Sequence, residues 1–156
     1  MINKIPPAER ATELYADLLN EPGALMPILH RIQNHLGYVP PEYVPTIAKS
    51  LNISRAEVHG VVTFYHDFRS TPPGTHVVQI CQAEACQSMG TDALTKHAEA
   101  KLGAAMHSTS ADGKYTLEPA YCLGNCACSP AMVVDGHVHG RVTTQRFDEV
   151  VGELQA

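Results

Sequence analysis

Positive charge is thin in this chain. Eleven Lys and Arg stand against sixteen Asp and Glu, a formal net charge of −5, and no basic cluster stands out. That excludes the grouped cations with which proteins meet nucleic-acid phosphates. Long apolar runs are missing too. Nothing approaches the ~18 residues that span a bilayer, so no membrane span is expected. The opening segment Met1-Ile2-Asn3-Lys4-Ile5-Pro6-Pro7 has no apolar leader core, and the chain reads as cytoplasmic. No C-x-x-C occurs, which removes the usual dithiol redox chemistry. No G-x-G-x-x-G and no Walker loop occur, so the chain is not expected to hold NAD or a flavin by itself. No Ser/His/Asp or Cys/His nucleophile pattern stands out, and no catalytic residue is expected. Tryptophan is absent as well, and that excludes nothing.

What is present is cysteine in a pattern. Four of the five fall into two tight pairs, Cys81-x4-Cys86 and Cys122-x3-Cys126, with 35 residues between them. An odd count in a cytoplasmic chain argues for metal or catalytic use over a disulfide framework. Two close pairs brought together give four thiolates, the ligand set of an iron–sulfur cluster or a structural zinc. Structural zinc favours shorter spacings, and plant-type ferredoxins need a third cysteine close behind the second, absent after Cys86. Spacing favours the cluster and leaves zinc open. A cluster would make the protein an electron carrier; zinc would make it a non-redox interaction module. The residues between the ligands are small or polar, and Gly124 permits the tight turn from Cys122 to Cys126. Cys128 is spare: it either replaces Cys126 or is a buried neighbour of the site, and the second reading is adopted. His137-Val138-His139 puts two imidazoles on one strand face without an evident third ligand, which reads as a solvated hairpin.

Along the chain, residues 8–69 read as about four short helices. Leu25, Ile28, Leu29, Ile32 and Leu36 keep helical spacing, and Gly37 ends the run. Tyr43, Ile47, Ala48 and Leu51 continue it. Ser54-Arg55-Ala56-Glu57 is a capping box, with Val58, Val61, Val62, Tyr65 and Phe68 as one apolar face behind it. Glu9 to Leu19 is a weaker helix. Phe64 and Phe68 are expected in the core. Ser70-Thr71-Pro72-Pro73-Gly74 is the clearest break. After it come a strand at 76–80 ending at Cys81, a helix at 88–102, an ill-defined strand near Met106, and a strand at 115–118. A hairpin turning on Asp135-Gly136 and a last amphipathic helix follow. The expected class is α+β, with residues 1–70 a helical bundle and residues 75–156 an α/β domain.

With these residues in place the chain resembles the thioredoxin-like [2Fe–2S] ferredoxin family. That family includes the 24 kDa subunit of respiratory complex I and the matching subunits of NAD-linked hydrogenases and formate dehydrogenases. The resemblance runs from about Ala24 to Leu154. It is carried by Ala24-Leu25-Met26-Pro27-Ile28-Leu29-His30, by Val58-His59-Gly60-Val61-Val62-Thr63-Phe64-Tyr65, and by the two cysteine loops. The stretch Gln82-Ala83-Glu84-Ala85-Cys86-Gln87-Ser88-Met89-Gly90 is most similar to the gamma subunit of cytosolic, molybdenum-containing, NAD-dependent formate dehydrogenase. The resemblance implies a thioredoxin-like C-terminal domain and one [2Fe–2S] cluster on Cys81, Cys86, Cys122 and Cys126. It implies a flavin- and NAD-binding partner subunit carrying FMN, and a large partner with a molybdenum cofactor and Fe–S clusters. It also implies a cis Ser129–Pro130 bond ahead of the strand Met132-Val133-Val134. An equivalent subunit of an NAD-reducing hydrogenase or a complex I is the alternative assembly.

Overall fold

The computed structural model of the protein describes residues 6–154; most of the opening segment read above for a leader lies outside them. The chain divides into two compact units, broken between Pro72 and Pro73.

In the first unit, α1 (Leu25–Leu36) buries Ile28, Leu29, Ile32 and Leu36 on one face. It ends at Gly37, whose φ of 86° is the left-handed conformation that closes a helix. A 3-10 turn, Pro41–Tyr43, leads into α2 (Val44–Leu51). The Ser54 hydroxyl accepts from the Glu57 N–H at 3.1 Å, and Glu57 Oε2 accepts from the Ser54 N–H at 2.8 Å. This reciprocal cap starts α3 (Arg55–Phe64). Tyr15, Tyr43, Ile47 and Val58 complete the core. Gln33 is a buried polar residue that sequence reading passes over. Its amide donates to the Asp67 carbonyl at 2.7 Å and accepts from the Arg69 N–H at 2.8 Å, fixing the chain after α3.

Two expectations need correcting here. The segment from Glu9 to Leu19 is not an α-helix but two 3-10 segments, Ala8–Leu14 and Ala16–Leu18. Ala11 and Tyr15 are buried there, and Ala8, Leu14 and Leu18 pack partly buried against the same core, but Tyr15, with a non-helical φ of −142°, splits the run. The apolar face of α3 is also shorter than expected. Only Val58 and Val62 are buried on it, and Tyr65 ends the helix with extended backbone. Phe64 lies two residues, about 200° of helical turn, beyond Val62 and is 72% exposed, while Phe68 is buried past the helix end.

The second unit is a five-stranded sheet in the order β2-β3-β1-β4-β5. Its strands are β1 (His76–Cys81), β2 (Ser108–Thr109), β3 (Tyr115–Ala120), β4 (Met132–Val134) and β5 (His137–His139). β1 and β3 are parallel and the other pairs antiparallel. Alternate residues Val78 and Ile80, Tyr115 and Leu117, Met132 and Val134 share one buried core. Against it lie Leu94, Ala98 and Leu102 of α5 (Thr91–Leu102), and Phe147, Val150 and Val151 of α6 (Thr144–Glu153). The helix expected over 88–102 is interrupted: a short α4 (Glu84–Ser88) precedes Gly90, whose φ of 93° breaks the run before α5. The strand near Met106 exists, as β2. Ser129–Pro130 is cis.

Candidate metal centre

Parallel pairing decides where the cysteines meet. Parallel strands end at the same sheet edge, and Cys81, the last residue of β1, stands opposite Ala120, the last of β3. The two loops therefore leave side by side, and the Gln82 N–H donates to the Ala120 carbonyl at 2.8 Å. On the other side the Cys81 N–H donates to Ala131, just past the cis proline, at 3.0 Å.

Side chains clamp the first loop. The buried Thr91 hydroxyl at the start of α5 donates to the Cys81 carbonyl at 3.0 Å. The Gln82 amide reaches the Thr95 hydroxyl at 3.0 Å, and the Gln87 amide donates to the Gln82 carbonyl at 2.8 Å. Cys86 lies on α4, and both it and Cys81 are 2% exposed. Cys81, Cys86 and Ala131 form a small buried cluster against which Leu123 of the second loop packs.

The second loop is made by unusual backbone. Cys122 has a φ of 85°, rare for a residue with a side chain, and Gly124 has 73°. Alternating backbone of this kind turns successive N–H groups toward one side, a concavity suited to negative charge. The Gly124 N–H points at Cys122 Sγ at 3.4 Å. A 3-10 turn, Cys126–Cys128, then brings Cys126 Sγ to 3.9 Å from Cys122 Sγ. Two sulfurs about 2.3 Å from one tetrahedral ion sit ~3.8 Å apart, so this pair is spaced for a shared metal. Ser129 joins the halves: its hydroxyl donates to the Cys126 carbonyl at 2.7 Å and faces Cys86 Sγ at 3.6 Å.

The thiols sense one another. Burial pushes the Cys81 thiol up, but the Ala83 N–H, the Cys86 thiol and the N–H groups of Leu123 and Cys122 outweigh it and lower its pKa. Donors from both loops thus converge on one sulfur and favour the thiolate, the form that binds metal. The Cys126 thiol is pushed up, first by its hydrogen bond with Cys122 and by that group's charge, then by burial and by the charges of Cys86 and Cys81. Cys126 thus feels the other three predicted ligands. Among the described residues no three His, Cys, Asp or Glu side chains close on a single ion; a binuclear cluster is held by cysteine pairs, two to each iron. The donor set, the pair spacing and the inward N–H groups fit a [2Fe–2S] cluster. Cys128 is half-buried, not fully buried as expected, and Glu84 is exposed. Thr91, Ser129 and the left-handed Cys122 are not found by sequence reading, because nothing in spacing marks a hydroxyl that buttresses a loop.

Comparison with known proteins identifies the family. Residues 9–155 match the family model described as thioredoxin-like [2Fe–2S] ferredoxin. An NADH-quinone oxidoreductase subunit from Pseudomonas aeruginosa is 36% identical over 125 residues, covering 80% of this chain and 74% of that protein. The NADP-reducing hydrogenase subunit HndA of Solidesulfovibrio fructosivorans is 28% identical over 148 residues, 95% of this chain and 86% of that one. In a solved NAD+-reducing [NiFe]-hydrogenase, a similar fold superposes with a TM-score of 0.72 at 21% identity, over 84% of this chain. This chain spans only 22% of that hydrogenase chain, and the likeness there is one of fold alone. The zinc reading that spacing left open gives way to the family's cofactor. The chain belongs to the thioredoxin-like [2Fe–2S] ferredoxin family, whose cofactor is a [2Fe–2S] cluster.

Proposed function

We propose that this protein is the electron-carrying subunit of a cytoplasmic, NAD-dependent formate dehydrogenase, with its cluster held by Cys81 and Cys86 on one iron and by Cys122 and Cys126 on the other. The observation that carries the ligand assignment is the convergence of both cysteine loops on Cys81. When bound, the cluster supplies reversible one-electron redox chemistry. The residues of this chain fix and shield it. The N–H groups of Ala83, Cys122 and Leu123 offset negative charge at Cys81. Leu123 and Ala131 keep water from the first pair. Cys122 and Cys126 are exposed, so the second pair forms the open side of the site.

The choice of complex rests on the wording of Gln82–Gly90. By resemblance, the partners are a flavin- and NAD-binding subunit carrying FMN and a large subunit with a molybdenum cofactor and Fe–S clusters. An equivalent place in a hydrogenase or a complex I is the second reading, favoured by what the relatives are. The first unit holds no cysteine and is proposed as the docking part, with exposed Phe64 and Tyr65 among its contacts.

Iron and sulfide analysis, visible absorption and EPR after dithionite reduction test the cofactor assignment on anaerobically purified protein. Two irons and two sulfides per chain with an S = 1/2 signal are expected. A colourless protein with one zinc would remove the redox function. Purification of the native complex separates the assemblies: formate-dependent NAD reduction supports the first reading, and hydrogen-dependent or NADH–quinone activity replaces it with the second.

A further inference from the structure

We infer that Gly140, which is neither a cysteine nor in either cysteine loop, is a positioning residue that sets the geometry of the second ligand pair; this rests on the ligand reading proposed above. Gly140 follows β5. Most other glycines of this unit, among them Gly90, Gly124 and Gly136, have positive φ and open space where a Cβ would stand. Gly140 is the reverse. Its φ lies outside the left-handed range, but a Cβ there would lie 2.7 Å from Cys128 Cβ, 2.8 Å from Asn125 Nδ2 and 3.0 Å from the Cys128 carbonyl oxygen. Carbon atoms in contact stand about 3.5–4.0 Å apart. Space, not conformation, demands glycine here.

The residues it touches are the ones that flank Cys126. Asn125 immediately precedes that ligand, and Cys128 closes its 3-10 turn, its N–H donating to the Asn125 carbonyl at 2.9 Å. The chain after Gly140 holds the same turn by main-chain bonds. The Arg141 N–H donates to the Cys128 carbonyl at 2.6 Å, and the Val142 N–H to the Pro130 carbonyl at 2.9 Å. Arg141 takes up a φ of 51° in this stretch. Residues 140–142 are thus a brace lying against the back of the loop. The Asn125 amide can swing aside from an added methyl, but Cys128 Cβ and its carbonyl are fixed to the main chain. A side chain at 140 must move the loop backbone on both sides of Cys126, where the sulfur–sulfur spacing of 3.9 Å is set.

The test compares the cluster-loaded parent with Gly140→Ala and with Gly152→Ala, a control on α6 whose Cβ meets nothing within 4 Å. Cluster loss to a chelator and the g values of the dithionite-reduced EPR signal are measured. Residues that support metal ligands typically change affinity 10–100-fold when altered, so Gly140→Ala should lose its cluster roughly ten times faster, with shifted g values, while Gly152→Ala matches the parent. Adding Cys128→Gly removes the 2.7 Å clash and should return both readouts toward the parent. If Gly140→Ala yields no folded protein, the double variant carries the test: recovery of a parent-like signal supports the assignment, and no recovery overturns it. Parent-like loss rate and g values in Gly140→Ala also overturn it. A parent without iron would fell the ligand reading and this inference together, and that measurement, taken first, distinguishes the two failures.

Discussion

The two cysteine loops hold chemically equal thiols, the proposed ligands, by opposite means. Cys81 and Cys86 lie on regular elements, the last residue of β1 and the short helix α4, both 2% exposed and clamped through Thr91, Gln82 and Gln87. Cys122 and Cys126 are exposed, on a stretch with two left-handed residues, a 3-10 turn and main-chain bonds to a neighbouring strand connection. The first half comes almost free with the fold, since the strand end and helix start would exist without a metal. The second half departs from what an unconstrained chain adopts, and departures of that kind mark function. Of the two, the second loop carries the greater evidence of being shaped for its ligand.

The comparison breaks most directly by removing one ligand from each half. Cys86→Ser should lose all iron. It should also cost the protein about 1–3 kcal/mol, because it leaves a buried hydroxyl poorly placed to bond. Cys126→Ser should lose iron with a stability change within about 0.5 kcal/mol, as exposed substitutions usually do. Iron analysis with urea unfolding of the cluster-free proteins checks both. Equal stability losses would show that the halves are not built differently. Retained colour in Cys126→Ser would show Cys128 taking its place.

A smaller effect belongs to the loop backbone alone. Gly124 has open space where a Cβ would stand but a φ of 73°. Gly124→Ala should therefore destabilise by about 1–2 kcal/mol, the cost of a side chain in left-handed backbone, while keeping the cluster. That contrasts with Gly140→Ala, where the demand is spatial and the cluster itself should suffer. Similar cluster loss in both variants would erase the distinction between a conformational and a spatial glycine.

The same contrast explains what sequence can reveal. The helix closed by Gly37, the Ser54–Glu57 cap, the hairpin on Asp135-Gly136 and the break before Gly74 are local: each signal lies within a few residues of its effect, and each stands in the structure. The ligand candidates are legible for the same reason, as two short spacings. Phe64 is misplaced by sequence reading because helical phase, not hydrophobicity, decides which side of α3 it faces. The split at Gly90 escapes because a lone glycine inside a helical pattern is tolerated, and its φ of 93° leaves no mark in the spacing. Gly140 and Ser129 are invisible because their importance comes from atoms brought close by β4, β5 and the cis peptide, not from chain neighbours.

The smallest expected effect separates the supports of the two halves by pH. The helix that buttresses Cys81 is tied to α6 by a titratable group: Asp148 Oδ1 lies 2.9 Å from His97 Nε2 and 3.5 Å from Lys101 Nζ. The His97 hydrogen bond, partly offset by burial and joined by the charges of Lys101 and His97, lowers the pKa of Asp148. A carboxylate whose pKa is depressed on folding adds stability above its unfolded value of about 3.9 and loses it as pH falls through the lower folded value. The main-chain bonds that brace the second loop carry no such group. Acidification from neutral pH through the carboxylate range should therefore weaken the α5–α6 tie first. Urea unfolding of the cluster-free protein at several pH values, compared with Asp148→Asn, isolates the contribution: the variant should show a shallower fall in stability below about pH 4.5. The effect is small because the pair is partly exposed and screened by solvent. Superimposable curves would mean that the Asp148 contacts add nothing to the hold on α5, and that both halves of the site rest on supports indifferent to acid.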